Sequence, residues 1–582
     1  MASSIFRSTP LFLLFSSALS FTPCQLLGPT YPSFTLDTED ADLSAALKNL
    51  TRKFDNLMRT GNSENGPVTS NTTTVSIALF SANEGNDEDQ PFFWEYHWTA
   101  PEYKKSTGQF QNVTKDSIYR MGGLTEAFTI WSLLLGEGDR IFNDPVIKYL
   151  PELTNGSTTD SLGQVQWKDV TVGQLASHMS GLPRDYCSSD LTLQWDTQKT
   201  GFPQHASFHR PCCGDSKCSQ SEFIQQLAKR APVAPSGLTP IYSNMAFQLL
   251  GYIDERITGE SFEKSIQSKI LKPLGLTETT IFAPKDASKG VIPVGQKASG
   301  WSAQLPGTEA STSMFTSLEN LASAGKAIVN STLLPSAQTN RWLKPATDTS
   351  NKANAVGYPF TIYHGGEYPN KSPMVDIYTI LSNEGDNEGL YSSYLGMVPD
   401  MGIGYAILSA DTKKHADLNT HADFMSDVLE AIQKIALKQA LGNYGGKYAS
   451  SGFSNTSISI EGKKNLGWGL YIEDFVSKGK NFRETLAPLL GYGHAVELSI
   501  HLYPTRLVEK TSTGSKEAFR AVFQDVTELA DSGTPTCVSW MDVDKYQYAD
   551  HGLDEFIFTL DTKGVVVGVE IPALDVALQK KN

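Results

Sequence analysis

The sequence predicts an α/β (α+β) protein. A larger domain, with an antiparallel sheet flanked by helices and a mostly helical subdomain, precedes a small all-β domain. Three observations predict this class. Polar and apolar residues alternate in segments near 73–98 and 355–411. Segments between them place apolar residues at helical spacing. Beyond residue 455 the patterns are those of strands.

The predicted elements of the larger domain follow in chain order. An amphipathic helix is predicted where apolar residues recur at helical spacing, at Leu43, Leu47, Leu50, Phe54 and Leu57. The segments TTTVSIALF and FFWEYHWT, with a polar stretch between them, predict an antiparallel hairpin. Further helices are predicted over 124–135, 172–180, 221–229, 246–257 and 262–270. Strands follow in AVGYPFTIY, MVDIYTILS and IGYAILSAD, and then a helix over 421–441.

The predicted domain boundary is a segment rich in glycine and serine, GNYGGKYASSG, which indicates a linker over residues 441–454. We therefore expect the larger domain to span 21–440 and the all-β domain to span 455–582. Because strands occur near both ends of the larger domain, its sheet is expected to be closed by both ends of that domain.

The N-terminus predicts a signal peptide over residues 1–20 and hence a secreted protein. Arg7 precedes the apolar run LFLLFSSALS, and we place cleavage near Ser20. The run is too short to span a bilayer and no later segment qualifies, so no membrane anchor is expected. Sequons for N-glycosylation agree with secretion and occur at Asn49, Asn71, Asn112, Asn155, Asn330, Asn370 and Asn455.

The six cysteines also suit an oxidising compartment; they are Cys24, Cys187, Cys212, Cys213, Cys218 and Cys537. Those between 187 and 218 predict disulfides that staple a long loop, although the sequence does not determine the pairing. A zinc site that includes His205 and His209 of the same loop is the alternative. Its ligand spacing fits no standard pattern, so we expect disulfides there and no metal site.

The charge of the chain narrows the choice of partners. A formal net charge of -15 at pH 7 repels phosphate backbones, which argues against a nucleic-acid partner. The sequence has no glycine-rich phosphate loop in a strand–turn–helix setting, so no cofactor is expected. A small molecule is the expected ligand or substrate. The sequence does not predict the oligomeric state.

Three segments resemble a known family. LASHMSGLPRD (175–185), PIYSNMAFQLLGYIDE (240–255) and GLYSSYLGMVPDMGIGYAIL (389–408) resemble the serine β-lactamase and penicillin-binding-protein superfamily, in its class C β-lactamase-like form. The chain is similar in particular to the secreted fungal β-lactamase-like branch, which carries a comparable C-terminal β domain. The resemblance implies a β-lactamase-like fold for residues 21–440 and acyl transfer to a nucleophilic serine.

The resemblance also implies three catalytic motifs. In this family a Ser-x-x-Lys turn at a helix N-terminus supplies the nucleophile and its base. A Tyr-x-Asn loop relays a proton, and a Lys/His-x-Gly strand holds a substrate carboxylate. In this sequence Tyr242 and Asn244 preserve the second motif. The third slot, after a short insertion, falls on Asn383, Glu384 and Gly385, where no Lys or His occurs.

The first motif is lost as well. Its nucleophile slot falls on Gly123 and its base slot on Glu126. Because glycine has no atom to acylate, covalent acyl transfer cannot run at position 123. Glu126 reverses the charge of the expected lysine, so Tyr242 is expected to be a neutral hydrogen-bond donor or general acid. The cleft should therefore disfavour carboxylate ligands.

Two other places in the chain imitate the missing motifs. Ser477 and Lys480 have the Ser-x-x-Lys spacing, but they lie in the predicted all-β domain and read as a solvated turn. His364, Gly365 and Gly366 imitate the third motif, but they precede the block in which the family carries it.

Three functions are compatible with the altered cleft. The favoured hypothesis is an enzyme that acts on a small molecule, for example in secondary metabolism, by non-covalent acid–base chemistry. The reaction would be an isomerisation, elimination, cyclisation or hydrolysis. The alternatives are an inactive binding or scaffold protein, and a serine-type hydrolase of esters, amides or peptides. Catalytic roles are predicted for Glu126, Tyr242 and Asn244, and ligand contacts for Gly123, Asn383, Gly385 and Tyr391.

Overall fold

The computed structural model describes most of the chain: residues 24–83, 91–107, 112–155, 159–186, 201–202, 219–303, 307–365, 375–382, 389–451, 455–462, 468–490, 498–525 and 538–581. The predicted signal peptide lies outside these residues, as do Asn370, Asn383, Gly385, the histidines His205 and His209, and every cysteine except Cys24. The chain forms two compact units. The larger comprises Ser33–Gly365 and Val375–Ile435, and the smaller consists mainly of Ala436–Asn582.

The larger unit is built on an eight-stranded antiparallel sheet. Its strands, in spatial order, are Trp94–Trp98, Thr73–Ser81, Ile403–Asp411, Tyr391–Val398, Val375–Ser382, Thr361–Gly365, Asn354–Val356 and Thr347–Asp348. The first two strands form the predicted hairpin, and Thr73–Ser81 pairs on its other side with Ile403–Asp411. Segments from both ends of the unit therefore close the sheet, as the sequence predicts.

Both faces of this sheet are covered, and alternation along a strand assigns side chains to each. Ala78 and Phe80 pack into one core, whereas Val75, Ile77 and Leu79 pack into the other. The helices of the larger unit are Ala41–Thr60, Pro101–Thr107, Thr125–Glu137, Val172–Ala176, Gln220–Leu227, Asn244–Thr258, Phe262–Ile266, Glu309–Thr312, Leu318–Val329, Ser336–Trp342 and Asn419–Asp423. The helix Ser426–Tyr444 contains the boundary between the units.

The helix Ala41–Thr60 begins and ends at residues that the sequence provides as caps. The Asp40 side chain accepts hydrogen bonds from the backbone N–H groups of Asp42 and Leu43, which caps the N-terminus. Gly61, with φ of 72°, ends the helix in the left-handed conformation that glycine adopts without strain. Leu43, Leu50, Phe54 and Leu57 are buried, as their helical spacing predicts, and belong to one core.

The smaller unit contains a nine-stranded antiparallel sheet. In spatial order its strands are Ser457–Glu461, Gly446–Ala449, Val576–Lys580, Val566–Ile571, Glu555–Asp561, Gly514–Asp525, Leu498–Thr511, Leu470–Ser477 and Lys480–Asn481. Leu470–Ser477 also pairs with Ser457–Glu461, which closes the sheet into a barrel. Short helices occur at Phe482–Leu489 and Ser539–Asp542. Residues 441–454, predicted as a linker, contain a helix end and the strand Gly446–Ala449.

Within the described residues, no helix is both long and apolar enough to cross a membrane.

His421 makes the stability of the larger unit sensitive to acid. Its ring is 1% exposed, lies 6.2 Å from the ring of Phe54, and has no hydrogen-bond partner on either nitrogen. Burial lowers the pKa of His421 from 6.5 to about 4. The unfolded chain therefore binds a proton that the folded chain rejects. The stability contributed by this residue is complete above pH 6.5 and is lost as the pH falls to about 4.

We expect His421→Phe to remove this loss, which amounts to about 3 kcal/mol because each pKa unit corresponds to about 1.4 kcal/mol. The variant keeps an aromatic ring against Phe54. Thermal unfolding measured from pH 7 to pH 4 should show a flatter decline for His421→Phe than for the wild-type protein. The matched change His415→Phe, at a partly exposed histidine, should leave the decline unchanged. An equally steep decline in His421→Phe would contradict the assignment.

Candidate functional site

The site is centred on the turn that contains Gly123. The strand Ile118–Arg120 leads into a single 3-10 turn, Gly122–Leu124, and the helix Thr125–Glu137 follows directly. Gly122 has φ of +50°, in the left-handed region, whereas Gly123 does not. A Cβ atom on Gly123 would lie 3.3 Å from the Tyr242 hydroxyl and 3.5 Å from the Ser382 hydroxyl oxygen. Position 123 therefore faces the phenol of the preserved motif, as the register predicts.

The backbone N–H of Gly123 is already engaged. It donates a hydrogen bond of 2.9 Å to Ser382 Oγ, at the end of the strand Val375–Ser382. This N–H lies at the start of a buried helix, where backbone donors and the helix dipole stabilise negative charge on oxygen. The neutral Ser382 hydroxyl therefore accepts a hydrogen bond from the Gly123 N–H. In an acyl-transfer enzyme this N–H would instead donate to the oxyanion of the reacting substrate.

Glu126 lies in the first turn of the helix Thr125–Glu137 and is 1% exposed. Its Oε1 atom accepts a hydrogen bond of 2.9 Å from Ser311 Oγ, and its Oε2 atom lies 3.4 Å from His178 Nε2. A buried carboxylate needs donors on its oxygens, because desolvation of an unpaired charge is costly. Ser311 and His178 supply them from two other segments of the chain.

His178 is a site residue that the sequence did not identify. Its backbone has φ of 58°, which is unusual for a residue other than glycine and indicates a conformation held by its surroundings. The backbone N–H of Ser243 donates to His178 Nδ1 at 3.2 Å. In the neutral ring the proton is therefore on Nε2, which faces Glu126. The imidazole lies 4.7 Å from the ring of Tyr242, tilted by 33°, and so contacts both the carboxylate and the phenol.

The preserved Tyr-x-Asn motif is fixed by a chain of hydrogen bonds. The Tyr242 hydroxyl donates to Asn244 Oδ1 at 3.2 Å, and Asn244 Nδ2 donates to Asp185 Oδ1 at 2.7 Å. Ser243, between them, caps the helix Asn244–Thr258 by accepting from the Ala246 N–H. The middle residue of the motif thus caps the helix, and the buried Asn244 side chain accepts from the Tyr242 hydroxyl but does not itself line the cavity that Tyr242 lines.

Glu126 and Tyr242 line a common cavity of about 1180 Å³, together with His178, Arg184 and Ser382. A cavity of this size accommodates a small organic molecule. The lining also includes Asp423 and the two tyrosines Tyr394 and Tyr405, whose rings stack 5.6 Å apart. Burial raises the pKa of both phenols, so they stay protonated at neutral pH. Burial, and then the charge of Asp417, raises the pKa of Asp423.

The prediction that Tyr391 contacts the ligand is wrong. Its side chain is fully buried, and its hydroxyl donates to the carbonyl oxygen of Val291 at 2.9 Å. The residue packs against Trp301 in the core and does not line the cavity. Asn383 and Gly385, the other predicted ligand contacts on this side, lie outside the described residues.

Neither of the two imitating motifs joins the site. Ser477 and Lys480 pair with each other across a turn between two strands of the smaller unit. His364 Nδ1 lies 2.8 Å from Asp376 Oδ1 on paired strands, and neither residue lines the cavity.

A genuine serine–lysine contact exists elsewhere in the larger unit. Lys269 Nζ lies 3.2 Å from Ser132 Oγ, and both bond to the carboxylate of Asp254. Ser132 is fully buried and does not line the cavity, so no substrate reaches it there. The ammonium of Lys269 is held by Asp254 as an ion pair at 3.0 Å. We therefore assign a structural role to the cluster of Ser132, Lys269 and Asp254.

In the part of the chain that the structure describes, no group of three or more His, Cys, Asp or Glu side chains is arranged to hold a metal ion.

Comparison with known proteins agrees with the architecture. The family model "Beta-lactamase" matches residues 95–430, and the model "Beta-lactamase-like-like, C-terminal domain" matches residues 436–582. A "Beta-lactamase-like protein" of Arthroderma benhamiae is 27% identical, and the alignment covers 95% of each chain. "Probable hydrolase M10" of a Phoma species and "Probable hydrolase clz13" of Cochliobolus lunatus are each 22% identical, over 97% of this chain and 92% of theirs.

Among solved structures, a class C beta-lactamase aligns with 67% of this chain and 97% of its own, at 16% identity and a TM-score of 0.47. The family model for the larger unit covers more than half of the chain, and a second model covers the barrel-containing segment. The chain belongs to the beta-lactamase family and carries that family's beta-lactamase-like C-terminal domain.

Proposed function

We propose that this protein is a secreted enzyme that acts on a small molecule by non-covalent acid–base chemistry. The observation that carries the proposal is the shared cavity of Glu126 and Tyr242, beside a position 123 that has no side chain. Glu126 is the base, and the Tyr242 hydroxyl is the hydrogen-bond donor or acid. A carboxylate and a phenol ordinarily titrate far apart, which is what acid–base catalysis at one pH requires.

Among the reactions open to such a pair, hydrolysis by an activated water is favoured. Relatives aligned along nearly the whole chain are named probable hydrolases. Tyr242 and Ser382 both line the cavity next to position 123, so a water bound between them would have hydroxyl partners on two sides. Glu126 would take the proton of that water as it attacks. Isomerisation, elimination and cyclisation need the same base and no water.

The experiment is a turnover screen on the protein recovered from the culture medium, which also tests secretion. The protein is incubated with a small-molecule extract of the culture, and mass spectrometry compares the extract with one treated by Glu126→Gln. The proposal expects at least one compound to be converted by the wild-type protein alone. Equal conversion by both proteins would contradict the role of Glu126.

A binding protein is the second candidate, and one observation favours it. Both carboxylate oxygens of Glu126 already face donors, Ser311 Oγ and His178 Nε2, so the site is stable without a reacting ligand. The same screen separates the two functions. Compounds that are retained by the protein and recovered unchanged would establish binding and would contradict catalysis.

A further inference from the structure

Ser311 lies between two hydrogen-bond acceptors of the site. It belongs to the short helix Glu309–Thr312 and is fully buried. Its hydroxyl oxygen is 2.9 Å from Glu126 Oε1 and also forms a hydrogen bond with Asn244 Oδ1. A serine hydroxyl has one hydrogen to donate and can accept from other donors. It can therefore donate to only one of these two oxygens at a time.

The orientation of the Asn244 amide is fixed by its other partners. Asn244 Nδ2 donates to Asp185 Oδ1 at 2.7 Å, and Arg184 Nε lies 3.4 Å from Asp185 Oδ2. The carboxylate of Asp185 accepts hydrogen bonds and has none to donate, so its partner on Asn244 is the amide nitrogen. Asn244 must then present its oxygen to Ser311. When Glu126 is ionised, the row formed by Glu126, Ser311 and Asn244 has two oxygen–oxygen contacts, and only the Ser311 hydroxyl hydrogen is available to form a hydrogen bond in one of them.

We propose that Ser311 is a positioning residue. It forms a hydrogen bond with Glu126 in both protonation states of the carboxyl group, and no heavy atom has to move between them. This inference rests on the proposed function of Glu126 as a base. While Glu126 is ionised, Ser311 donates its hydrogen to Oε1. When Glu126 has taken a proton from water or substrate, its carboxyl O–H donates to Ser311 Oγ. The Ser311 hydrogen then turns to Asn244 Oδ1.

The proton balance closes within the site. One proton leaves the substrate or the attacking water, is held on Glu126 Oε1, and returns to the product or leaving group. The only movement required of Ser311 is rotation of its hydroxyl hydrogen. If the Ser311 hydrogen stayed directed at Glu126 Oε1, it would meet the new carboxyl hydrogen there, and the side chains of Ser311 and Glu126 would be forced apart.

The neighbouring polar groups keep the same hydrogen-bond partners in both states. His178 presents Nε2–H to Oε2, because its Nδ1 accepts from the Ser243 backbone. Tyr242 donates to Asn244 Oδ1, which has a second lone pair for Ser311. Arg184 and Asp185 face each other as a charged pair on the far side of Asn244. The exchange is therefore confined to Glu126 and Ser311.

Infrared difference spectroscopy tests this inference without a substrate. The spectrum of Glu126→Gln is subtracted from that of the wild-type protein at each pH, which isolates the carboxyl band of Glu126 and its titration midpoint. Ser311→Ala removes a charge-assisted hydrogen bond from the ionised form and a weaker neutral one from the protonated form, so we expect that midpoint to rise by about one pH unit. Each Ser311 variant needs its own subtraction, with Glu126→Gln added to that variant.

Further variants keep the test decisive. Ser311→Cys has a similar size and a weaker donor, so it should shift the midpoint in the same direction and replaces Ser311→Ala if that variant does not fold. Ser311→Thr keeps the hydroxyl and should retain the wild-type midpoint. Ser313→Ala is the control, because Ser313 Oγ donates to the carbonyl oxygen of Glu309, outside the row.

An unchanged midpoint in both Ser311→Ala and Ser311→Cys would overturn the inference. The result is also independent of turnover. A failed turnover screen with the expected infrared shift would remove the proposed function and leave the behaviour of Ser311 established. Turnover without the shift would leave the function and remove this role of Ser311.

Discussion

Replacing Glu126 by glutamine should lower the turnover number by about 100- to 10,000-fold, the usual contribution of a positioned base or acid. Glutamine has the shape of glutamate but cannot take a proton at neutral pH. Its carbonyl oxygen can accept from His178 Nε2–H and its amide can donate to Ser311 Oγ, which leaves the Ser311 hydrogen for Asn244. The cleft should therefore keep its geometry while losing its base. The measurement is the initial rate of conversion of the compound found in the turnover screen.

The control for this substitution is Glu319→Gln. The carboxylate of Glu319 lies 28% exposed beside Lys115 and does not line the cavity. Breaking a surface ion pair of this kind costs about 1 kcal/mol or less and should leave the rate unchanged. Thermal unfolding of both variants would show whether each remains folded. A folded Glu126→Gln that retains the wild-type rate would remove Glu126 from the mechanism.

Restoring the two lost residues of the first motif, as Gly123→Ser with Glu126→Lys, should create a serine that a fluorophosphonate probe labels stoichiometrically. The change requires a small adjustment: the new Cβ would lie 3.3 Å from the Tyr242 hydroxyl, which must move by a few tenths of an ångström, and in ordinary contact at 3.5 Å from Ser382 Oγ. Gly123 also lacks the positive φ that would penalise serine. The lysine ammonium could donate to Ser311 Oγ, the present hydrogen-bond partner of Glu126 Oε1. Three residues separate the two positions, about one helical turn, so the amine can take the serine proton.

The single variant Gly123→Ser is the matched control. It adds the hydroxyl but keeps a carboxylate in place of the amine, and it should react much more slowly than the double variant. Labelling is measured from the mass of the intact protein. If the double variant folds and stays unlabelled, the loss of covalent chemistry has a cause other than these two positions.

Much of the fold could be predicted from the sequence, because its signals are local. Capping by Asp40 and Gly61 and the spacing of Leu43, Leu50 and Leu57 specify the first helix. Alternation in TTTVSIALF specifies a strand with two apolar faces. The linker over 441–454 stays a prediction, and the glycines and serines of this segment occur where one helix ends and the short strand Gly446–Ala449 begins.

The site was only partly predictable, for reasons of distance and register. Spacing along one helix places Glu126 beside position 123, and the family register brings Tyr242 to them. Ser311 joins Glu126 across 185 positions of sequence, and no local pattern marks either Ser311 or His178 as a partner. Tyr391 was misassigned because its strand is buried on both faces. Apolar alternation then cannot tell which side chains face the cleft.

The central claim is that the cleft does not form a covalent bond with its ligand. The most direct test is the intact mass of the wild-type protein after incubation with a fluorophosphonate probe and, separately, with a penicillin. We predict a mass unchanged by either reagent. A gain of one probe mass, mapped by peptide analysis to a cavity serine such as Ser382, would contradict the claim.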